Sequence, residues 1–465
     1  MLVAIVVVLL IIGSLIFHFV SPWWFTPIAS NWEMIDSTVN ITFWVTGIVF
    51  VLVNLFLAWC VLKFRHKKGR KAHYEPENKK LEVWLTAITA VGVVAMLAPG
   101  LIVWGEVVAV PDDAMEVEAV GQQWHWTFRY PGNDGDFGDV DPRLISVDNP
   151  FGMDPDDPAG ADDVLVYSPE MHLPIDRPVK LLLRSKDVLH NFAVPQFRTK
   201  MDLVPGMVTY QWFIPTVAGS YEIMCEELCG MAHHTMRGSV VVEQQADFEN
   251  WLDSYPTYQE VLARAEPNVE AGKASYLACA ACHGQNGEGN MALNAPKLAG
   301  LDTWYLKRQL QNYKAGIRGA NPADTFGMQM RGMVATLPNE AAIDNVVAYI
   351  DTLPDVPAMA TIEGDVERGR KLYDTCVNCH GKQGQGIWAM NAPRAAGMSD
   401  WYVASQLRNF RDGLRGAHPG DGYGRQMAQM SMMLNEEQEI NDLVAYMNTL
   451  GQTQLAAAEA GQRFE

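Results

Sequence analysis

Between Cys225 and Met236 the chain reads Cys-Glu-Glu-Leu-Cys-Gly-Met-Ala-His-His-Thr-Met. Two thiolates four positions apart, the imidazole of His233 and the thioether of Met236 make a soft nitrogen and sulfur ligand set. Such a set suits copper, whereas magnesium and calcium take hard oxygen ligands. Structural zinc wants four nitrogen or sulfur ligands and gains little from a methionine. A second imidazole, His190, stands 35 residues before Cys225 in Ser-Lys-Asp-Val-Leu-His-Asn-Phe-Ala-Val-Pro.

Two further constellations follow: Cys279-Ala-Ala-Cys282-His283 and Cys376-Val-Asn-Cys379-His380. Two thiols three positions apart can add to the two vinyl groups of a haem, and the adjoining imidazole becomes an axial iron ligand. Six of the seven cysteines fall in these three motifs, and Cys60 lies alone in an apolar run. The three cysteine pairs are therefore read as cofactor ligands and not as a disulfide framework, with Cys60 a buried inert thiol. A thioether as sixth ligand would raise the haem potential relative to a second histidine, and Met328, Met330 and Met333 are the candidates after the first motif.

The elements that must position these groups fall in three blocks. Apolar segments Leu2–Val20, Ile41–Phe64 and Leu81–Trp104 are each long enough to cross a hydrocarbon core of about 30 Å. Met1 and its neighbours carry no Lys or Arg before the first segment, so it reads as an uncleaved helix and not as a signal peptide. The cluster Arg65-His66-Lys67-Lys68-Gly69-Arg70-Lys71 puts the second loop on the cytoplasmic side and everything after Trp104 outside. Trp23, Trp24 and Trp32 would then sit at the outer interface, where Trp is enriched.

From Met115 to Glu243, runs rich in β-branched and aromatic residues bounded by turn formers read as a β-sandwich. The net charge of −19 is concentrated there: Glu106 to Glu260 holds 27 acidic and 9 basic side chains. That balance makes nucleic acid an implausible partner, and the Asp-rich stretch from Asp134 to Asp163 reads as a solvated loop. A helical linker, 246–265, leads to a gapless internal repeat of period 97, in which Cys279 maps to Cys376, His283 to His380, Pro296 to Pro393 and Trp304 to Trp401. A period this long means tandem domains, because solenoid repeats run about 20–50 residues. The same offset pairs Met328 with Arg425, which removes it as a shared ligand, and leaves Met330 with Met427 and Met333 with Met430.

The copper loop, in the pattern Cys-x-Glu-x-Cys-x3-His-x2-Met with its histidine 35 residues upstream, resembles subunit II of haem–copper cytochrome c oxidases. Around Cys-x-x-Cys-His each repeat resembles small class I cytochromes c of the tandem c4-like kind. The fold class this implies is multidomain: transmembrane helices at 1–20, 41–64 and 81–105, a cupredoxin-like Greek-key β-barrel at 106–245, and all-α class I cytochrome c domains at 266–354 and 362–452. The resemblance implies a binuclear CuA centre. Cys225 and Cys229 would bridge both coppers, His190 and His233 would cap one each, and Met236 with the Glu227 carbonyl would complete the shells. The Glu227 side chain is similar to one that reaches a magnesium ion at the catalytic-subunit interface. Two haems c are implied. Cytochromes c of this kind place the methionine ligand seven residues before a Leu that opens the last helix, which selects Met330 before Leu337 and Met427 before Leu434.

Gly121-Gln-Gln-Trp124-His125-Trp126 resembles the family's Gly-x-Gln-Trp-Tyr-Trp, where the first Trp receives electrons, with His125 in place of Tyr. Glu82 resembles the Glu that opens a proton pathway into subunit I, although in Leu81-Glu82-Val83-Trp84-Leu85-Thr86 the Trp is shifted by one and the family's Pro is absent.

The function this implies is subunit II of an aerobic respiratory cytochrome c oxidase, which carries electrons from a donor through two haems c to CuA and on to the haem of subunit I. Oxygen would be reduced to water in that partner, because only His18 lies within an apolar segment here. Subunits I and III, and soluble cytochrome c or a quinol–cytochrome c reductase-type complex as donor, are the implied partners. The implied location is the bacterial inner membrane with the copper and haem domains periplasmic. The competing readings are a CuA subunit of a nitric oxide reductase and a membrane-anchored copper and haem relay without an oxidase partner.

Overall fold

The structure is a computed structural model that describes residues 2–21, 26–71, 74, 76–147 and 149–459, with side chains to residue 450. Three long helices open the chain: α1 (Leu2–Val20), α2 (Glu33–Lys63) and α3 (Lys79–Val108). All three are long and apolar enough to cross a membrane. Polar turns extend α2 and α3 beyond their apolar runs. Glu33 and Asp36 lie in the first turn of α2, where carboxylates offset the helix dipole. Asn78 caps α3 by accepting the Leu81 N–H at 3.1 Å.

The copper domain grips the first turn of α2 and the last turn of α3. Arg198 pairs with Asp36 at 2.6 Å, and the Trp212 indole donates to the Glu106 carbonyl at 3.2 Å. The basic stretch Arg65–Lys71 therefore lies at the opposite end of two helices of 31 and 30 residues, about 45 Å away. Trp32 departs from its expected place at a lipid interface. It is buried under the copper domain, with its indole donating to the Trp212 carbonyl at 3.0 Å, because a protein surface there satisfies the N–H as well as the ring. Trp23 and Trp24 lie outside the described residues.

Ten strands make a sandwich of two five-stranded sheets: β1 (Met115–Gln122), β2 (His125–Tyr130), β3 (Val164–Val166), β4 (Glu170–Pro174), β5 (Val179–Ser185), β6 (His190–Val194), β7 (Thr199–Leu203), β8 (Thr209–Phe213), β9 (Gly219–Cys225) and β10 (Arg237–Glu243). The orders are β3-β2-β1-β5-β8 and β4-β10-β9-β6-β7, with β1 parallel to β5 and β4 parallel to β10. This is the cupredoxin-like β domain that the sequence implies. In β5 the alternation is direct: Val179, Leu181 and Leu183 point into the core, and the residues between them face outward.

Strand β2 is buried at every position, because the Asp-rich stretch folds over its outer face. The Arg129 guanidinium, itself buried, bonds Glu118 at 2.7 Å, Asp163 at 3.1 Å and the Gly138 carbonyl at 2.8 Å. The stretch is thus not simply the solvated loop expected. Its last carboxylate, Asp163, is wholly buried, as a buried cation requires a paired anion.

The segment expected as a linker contains α4 (Gln245–Leu252) and α5 (Tyr258–Leu262) and packs against the sandwich. Phe248 joins the copper-domain core, Trp251 stacks on His172 with centroids 4.0 Å apart, and the Tyr258 N–H donates to the Asp163 carbonyl at 2.8 Å.

The repeats follow. The first holds α6 (Val269–His283), α7 (Thr303–Lys314), α8 (Thr325–Val334) and α9 (Glu340–Asp351). The second holds α10 (Val366–Tyr373), α11 (Val377–His380), α12 (Asp400–Arg411), α13 (Gly422–Ser431) and α14 (Glu437–Glu459). In both, the first and last helices cross in near contact. A Cβ on Gly272 would fall 1.9 Å from the Asn345 carbonyl oxygen, and one on Gly369 would fall 1.9 Å from that of Asp442. Glycine is the residue type that permits this approach.

Candidate metal and haem centres

Strand pairing assembles the copper loop. His190 opens β6, Cys225 ends β9, and these antiparallel neighbours register Phe192 against Cys225. The chain then returns towards β10 through a short 3-10 turn at His233–Thr235. Within this fold the Cys225 and Cys229 sulfurs lie 3.7 Å apart. His190 Nδ1 is 3.9 Å from Cys225 Sγ, and His233 Nδ1 is 3.4 Å from Cys229 Sγ. Met236 Sδ lies 3.9 Å from Cys229 Sγ, and the Glu227 carbonyl oxygen lies 3.2 Å from Cys225 Sγ. Each thiol thus has its own imidazole, with one thioether and one carbonyl at the edges. His190, Cys225, Cys229 and Met236 are buried and His233 is half-buried. The set fits a pair of soft cations bridged by two thiolates. His234 points outward and is exposed.

The electrostatics favour thiolate at one position. The close Cys229 sulfur holds the Cys225 thiol well below its ordinary value, against the opposing effect of burial. Cys229 is pushed up by its contact with Cys225 and by burial. Burial alone would lower His190, but its bonds to Asp187 and Cys225 hold it above the ordinary imidazole value. Asp187 Oδ1 lies 2.8 Å from His190 Nε2, and its other oxygen accepts the Gln123 N–H at 2.7 Å. One carboxylate therefore orients a copper-loop imidazole and ties it to the turn between β1 and β2. Trp124 sits in that turn, nearly buried, with its indole N–H donating to the Cys229 carbonyl at 3.1 Å.

The two Cys-x-x-Cys-His motifs open into one continuous cavity of 420 Å³, which also borders Trp124 and Ala232 of the copper domain. His283 Nδ1 lies 2.7 Å from the Pro296 carbonyl, and His380 Nδ1 lies 2.8 Å from that of Pro393. These bonds fix Nδ1 as the protonated nitrogen and leave Nε2 as the free donor atom. Burial lowers both imidazoles, which keeps them neutral. Met330 and Met333 line the cavity on the first side, and Met427 and Met430 on the second. Met328 is on the surface.

Two guanidiniums complete the cavity wall. Arg318 bonds Gln309 at 2.8 Å and Tyr402 at 2.6 Å, while Arg415 bonds Gln406 at 2.8 Å and Tyr305 at 3.0 Å. Both are buried, and among the described residues neither has a carboxylate partner and each Nε lacks an acceptor. Buried cations need anions, and a haem brings two carboxylates, so thiols, imidazoles, thioethers and guanidiniums together fit two haems c. Elsewhere, Glu227 is half-buried beside the copper loop. Glu82 is exposed in the first turn of α3, far from the copper domain.

Residues 115–245 match the family model of the cytochrome c oxidase subunit II periplasmic domain, and 269–354 and 366–451 each match that of cytochrome c. An alternative cytochrome c oxidase subunit 2 of Bradyrhizobium diazoefficiens is 57% identical over 264 residues, 57% of this chain and 95% of that one. The chain belongs to the cytochrome c oxidase subunit II family. A probable cytochrome c oxidase subunit 2 of Rickettsia bellii is 30% identical over 210 residues, 45% of this chain and 74% of that one. Among solved structures, cytochrome c4 from Pseudomonas stutzeri is 28% identical, covers 39% of this chain and is itself covered to 97%, with a TM-score of 0.32. The chain is thus an oxidase subunit II extended by two cytochrome c domains, whose families carry CuA and haem c.

In this subunit II the second cytochrome c domain rests directly on the copper domain. Gln426 donates to the Trp124 carbonyl, and Gln122 to the Ala389 carbonyl. Met390, Met430 and Cys379 pack against the copper-domain core. The Asn391 amide lies 3.0 Å from His125 Nε2, and its oxygen accepts from Arg308 of the first domain at 2.6 Å. The structure brings together every copper-loop residue named from the sequence, and gathers both Cys-x-x-Cys-His motifs around one cavity. No local pattern marks Arg308, Asn391 or Gln426, because their partners are 83 to 302 positions away, whereas Asp187 stands three positions before His190 in Ser-Lys-Asp-Val-Leu-His. Arg318 and Arg415 did carry a signal, since they are related by the same offset of 97.

Proposed function

We propose that this chain is the electron-accepting subunit of an aerobic respiratory cytochrome c oxidase of the bacterial inner membrane. It delivers electrons from a donor to the haem of subunit I, where oxygen is reduced to water with proton translocation, and subunit III completes the complex. The observation that carries this reading is the seating of the second haem cavity on Trp124, whose indole is bonded to the Cys229 carbonyl of the copper loop. When bound, the two haems and the copper pair would each supply a one-electron couple, which is what relay from a donor to an oxidase requires.

The proposed ligands are His190, Cys225, Glu227 (through its carbonyl), Cys229, His233 and Met236 for the copper pair. Cys279, Cys282, His283 and Met330 would hold the first haem, and Cys376, Cys379, His380 and Met427 the second. The protein's own groups prepare these sites. Asp187 orients His190, the Pro296 and Pro393 carbonyls set the imidazole tautomers, and Arg318 and Arg415 await carboxylates. Trp124 would be where electrons reach the copper domain, and Gln426 of the second haem domain donates to its carbonyl. The Glu227 carboxylate is proposed to reach a magnesium ion at the subunit I interface, and Glu82 to open a proton path from the cytoplasmic side.

The packing of the second haem domain on the copper domain supports a sequence in which the first repeat stands outermost and the second lies between it and copper. The test is purification of the whole complex with a count of haem types and copper. Two haems c and two coppers per chain, beside non-covalent haem in a partner subunit that consumes oxygen, is the expected result. A complex that reduces nitric oxide and not oxygen would overturn the assignment.

A further inference from the structure

The offset of 97 maps the face by which the second haem domain sits on the copper domain onto a face of the first haem domain that is exposed among the described residues. In the second domain that face comprises Met390, Asn391, Tyr423, Gln426 and Met430, all half-buried. Met390 and Met430 pack on the copper-domain core. Tyr423 meets His125 edge-on with centroids 5.1 Å apart, and Gln426 bonds the Trp124 carbonyl. Their counterparts in the first domain are Leu293, Asn294, Phe326, Gln329 and Met333, and all five are exposed. Phe326 is 52% exposed, Leu293 49% and Met333 43%. Neighbouring Met291, in the place of Trp388, is 57% exposed. None of these positions carries a charge, although the chain as a whole is 19% charged.

The mouth of the first haem cavity lies among these side chains: Cys282, Leu293, Phe326 and Met333 all line it. Cys282 is exposed, whereas its counterpart Cys379 is sheltered against the copper domain. A cluster of large apolar side chains left in water around a cofactor opening marks an interaction surface. The second domain and Trp124 already cover each other, so among the described residues the first domain offers the open counterpart of that interface.

We propose that this face is the docking site for the protein electron donor. It suits a partner whose cofactor edge is ringed by apolar and amide groups, the chemistry that Trp124, His125, Gln122 and Met231 present to the second domain. The inference rests on the proposed function, since it supposes that the chain draws electrons from a protein. Recognition through an uncharged face differs in kind from docking of a basic cytochrome on the acidic copper domain. Its affinity depends on buried apolar area and only weakly on ionic strength.

The experiment measures binding of two probes to the intact holo-chain in nanodiscs by surface plasmon resonance. One probe is a soluble monohaem cytochrome c with a lysine-rich haem rim. The other is the same protein with those lysines replaced by glutamine. The neutral-rim probe should bind more tightly, with a Kd that changes less than about threefold between low and physiological salt. Phe326→Glu and Met291→Glu should each raise that Kd by roughly tenfold or more, while Phe326→Tyr, which restores the residue of the second domain, should retain it. Met291 is exposed and does not line the haem cavity, so in Met291→Glu haem spectra and turnover with a small-molecule reductant should stay unchanged, which makes it the deciding variant. An unaltered Kd in both Glu variants would overturn the docking face and leave the relay standing. Preferred, salt-sensitive binding of the lysine-rich probe, or self-association of the chain through this face, would overturn it equally. Failure of the relay itself reads out differently, as undiminished turnover once both haem domains are removed.

Discussion

Asn391 of the second haem domain lies 3.0 Å from the His125 imidazole of the copper domain, and so joins two cofactor modules through one neutral hydrogen bond. Arg308 of the first haem domain donates to the same Asn391 at 2.6 Å and covers the Tyr423 ring at 4.5 Å. Three domains therefore meet at one amide. His125 replaces the Tyr of the resembled motif, and the replacement supplies an acceptor that Asn391 can use. This subunit does more than tether its cytochromes; it seats them.

The first prediction concerns this junction. Removing one neutral buried hydrogen bond costs about 1 kcal/mol, so Asn391→Ala combined with Gln426→Ala should loosen the seat without unfolding either domain. Hydrogen exchange across Gly121–Tyr130 should accelerate in the double variant, while copper and haem spectra stay unchanged. Unchanged exchange would mean that apolar packing by Met390 and Met430 suffices alone.

The second prediction follows from the protonation of His125. Burial, helped by Lys186, Arg308 and His190 and opposed by Asp187, pushes the ring down to about 3. Because the folded value is depressed, stabilisation is complete above the ordinary 6.5 and is lost as pH falls from there towards 3. Every tenfold loss of proton affinity on folding corresponds to about 1.4 kcal/mol. Exchange protection of the seat should therefore weaken below about pH 6.5, and His125→Phe should flatten that dependence. If the variant shows the same acid release, some other group controls it.

For copper, Cys225→Ser should abolish the near-infrared band and multi-line EPR of a mixed-valence pair. Asp187→Asn should keep both coppers but weaken their binding roughly tenfold to a hundredfold, as loss of an orienting partner does. Full affinity in Asp187→Asn would show that β6 positions His190 unaided.

The haem ligands can be separated by potential. Met330→His should move one haem to a lower potential and leave the other in place, because a second imidazole favours ferric iron. Since Met333 lines the same cavity, Met333→His is the control. A shift produced by Met333→His in place of Met330→His would reassign the ligand.

Truncation tests the relay. The cut must fall after Arg264, because the Tyr258 side chain is buried and its backbone bonds the Asp163 carbonyl. Tyr258→Ala should itself cost about 3 kcal/mol. The truncated oxidase should keep CuA and turn over slowly with a small-molecule reductant. Added basic cytochrome c should restore the rate through the uncovered acidic domain, and less so as salt rises. Undiminished turnover in the truncated enzyme, with no cytochrome added, would make both haem domains bystanders.

Local patterns in the sequence determined the three apolar helices, the ligand types of the copper loop, both Cys-x-x-Cys-His motifs and the duplication at 97. Apart from the duplication, these patterns are short in range: ligand spacing is set by one loop or one helical turn, and apolar length by the membrane. His190 was a candidate imidazole 35 residues upstream that only the resemblance tied to Cys225, and the pairing of β6 with β9 supplies the reason. Tertiary structure alone decided which haem domain faces copper. The two repeats are nearly interchangeable as local sequence, and their choice of partner depends on surface shape, with Tyr423 and Met390 seated on the copper domain and Phe326 and Leu293 left in water. It also decided that Trp32, Phe248 and Asp163 are interior, because burial is a property of what packs around a residue and not of the residue itself.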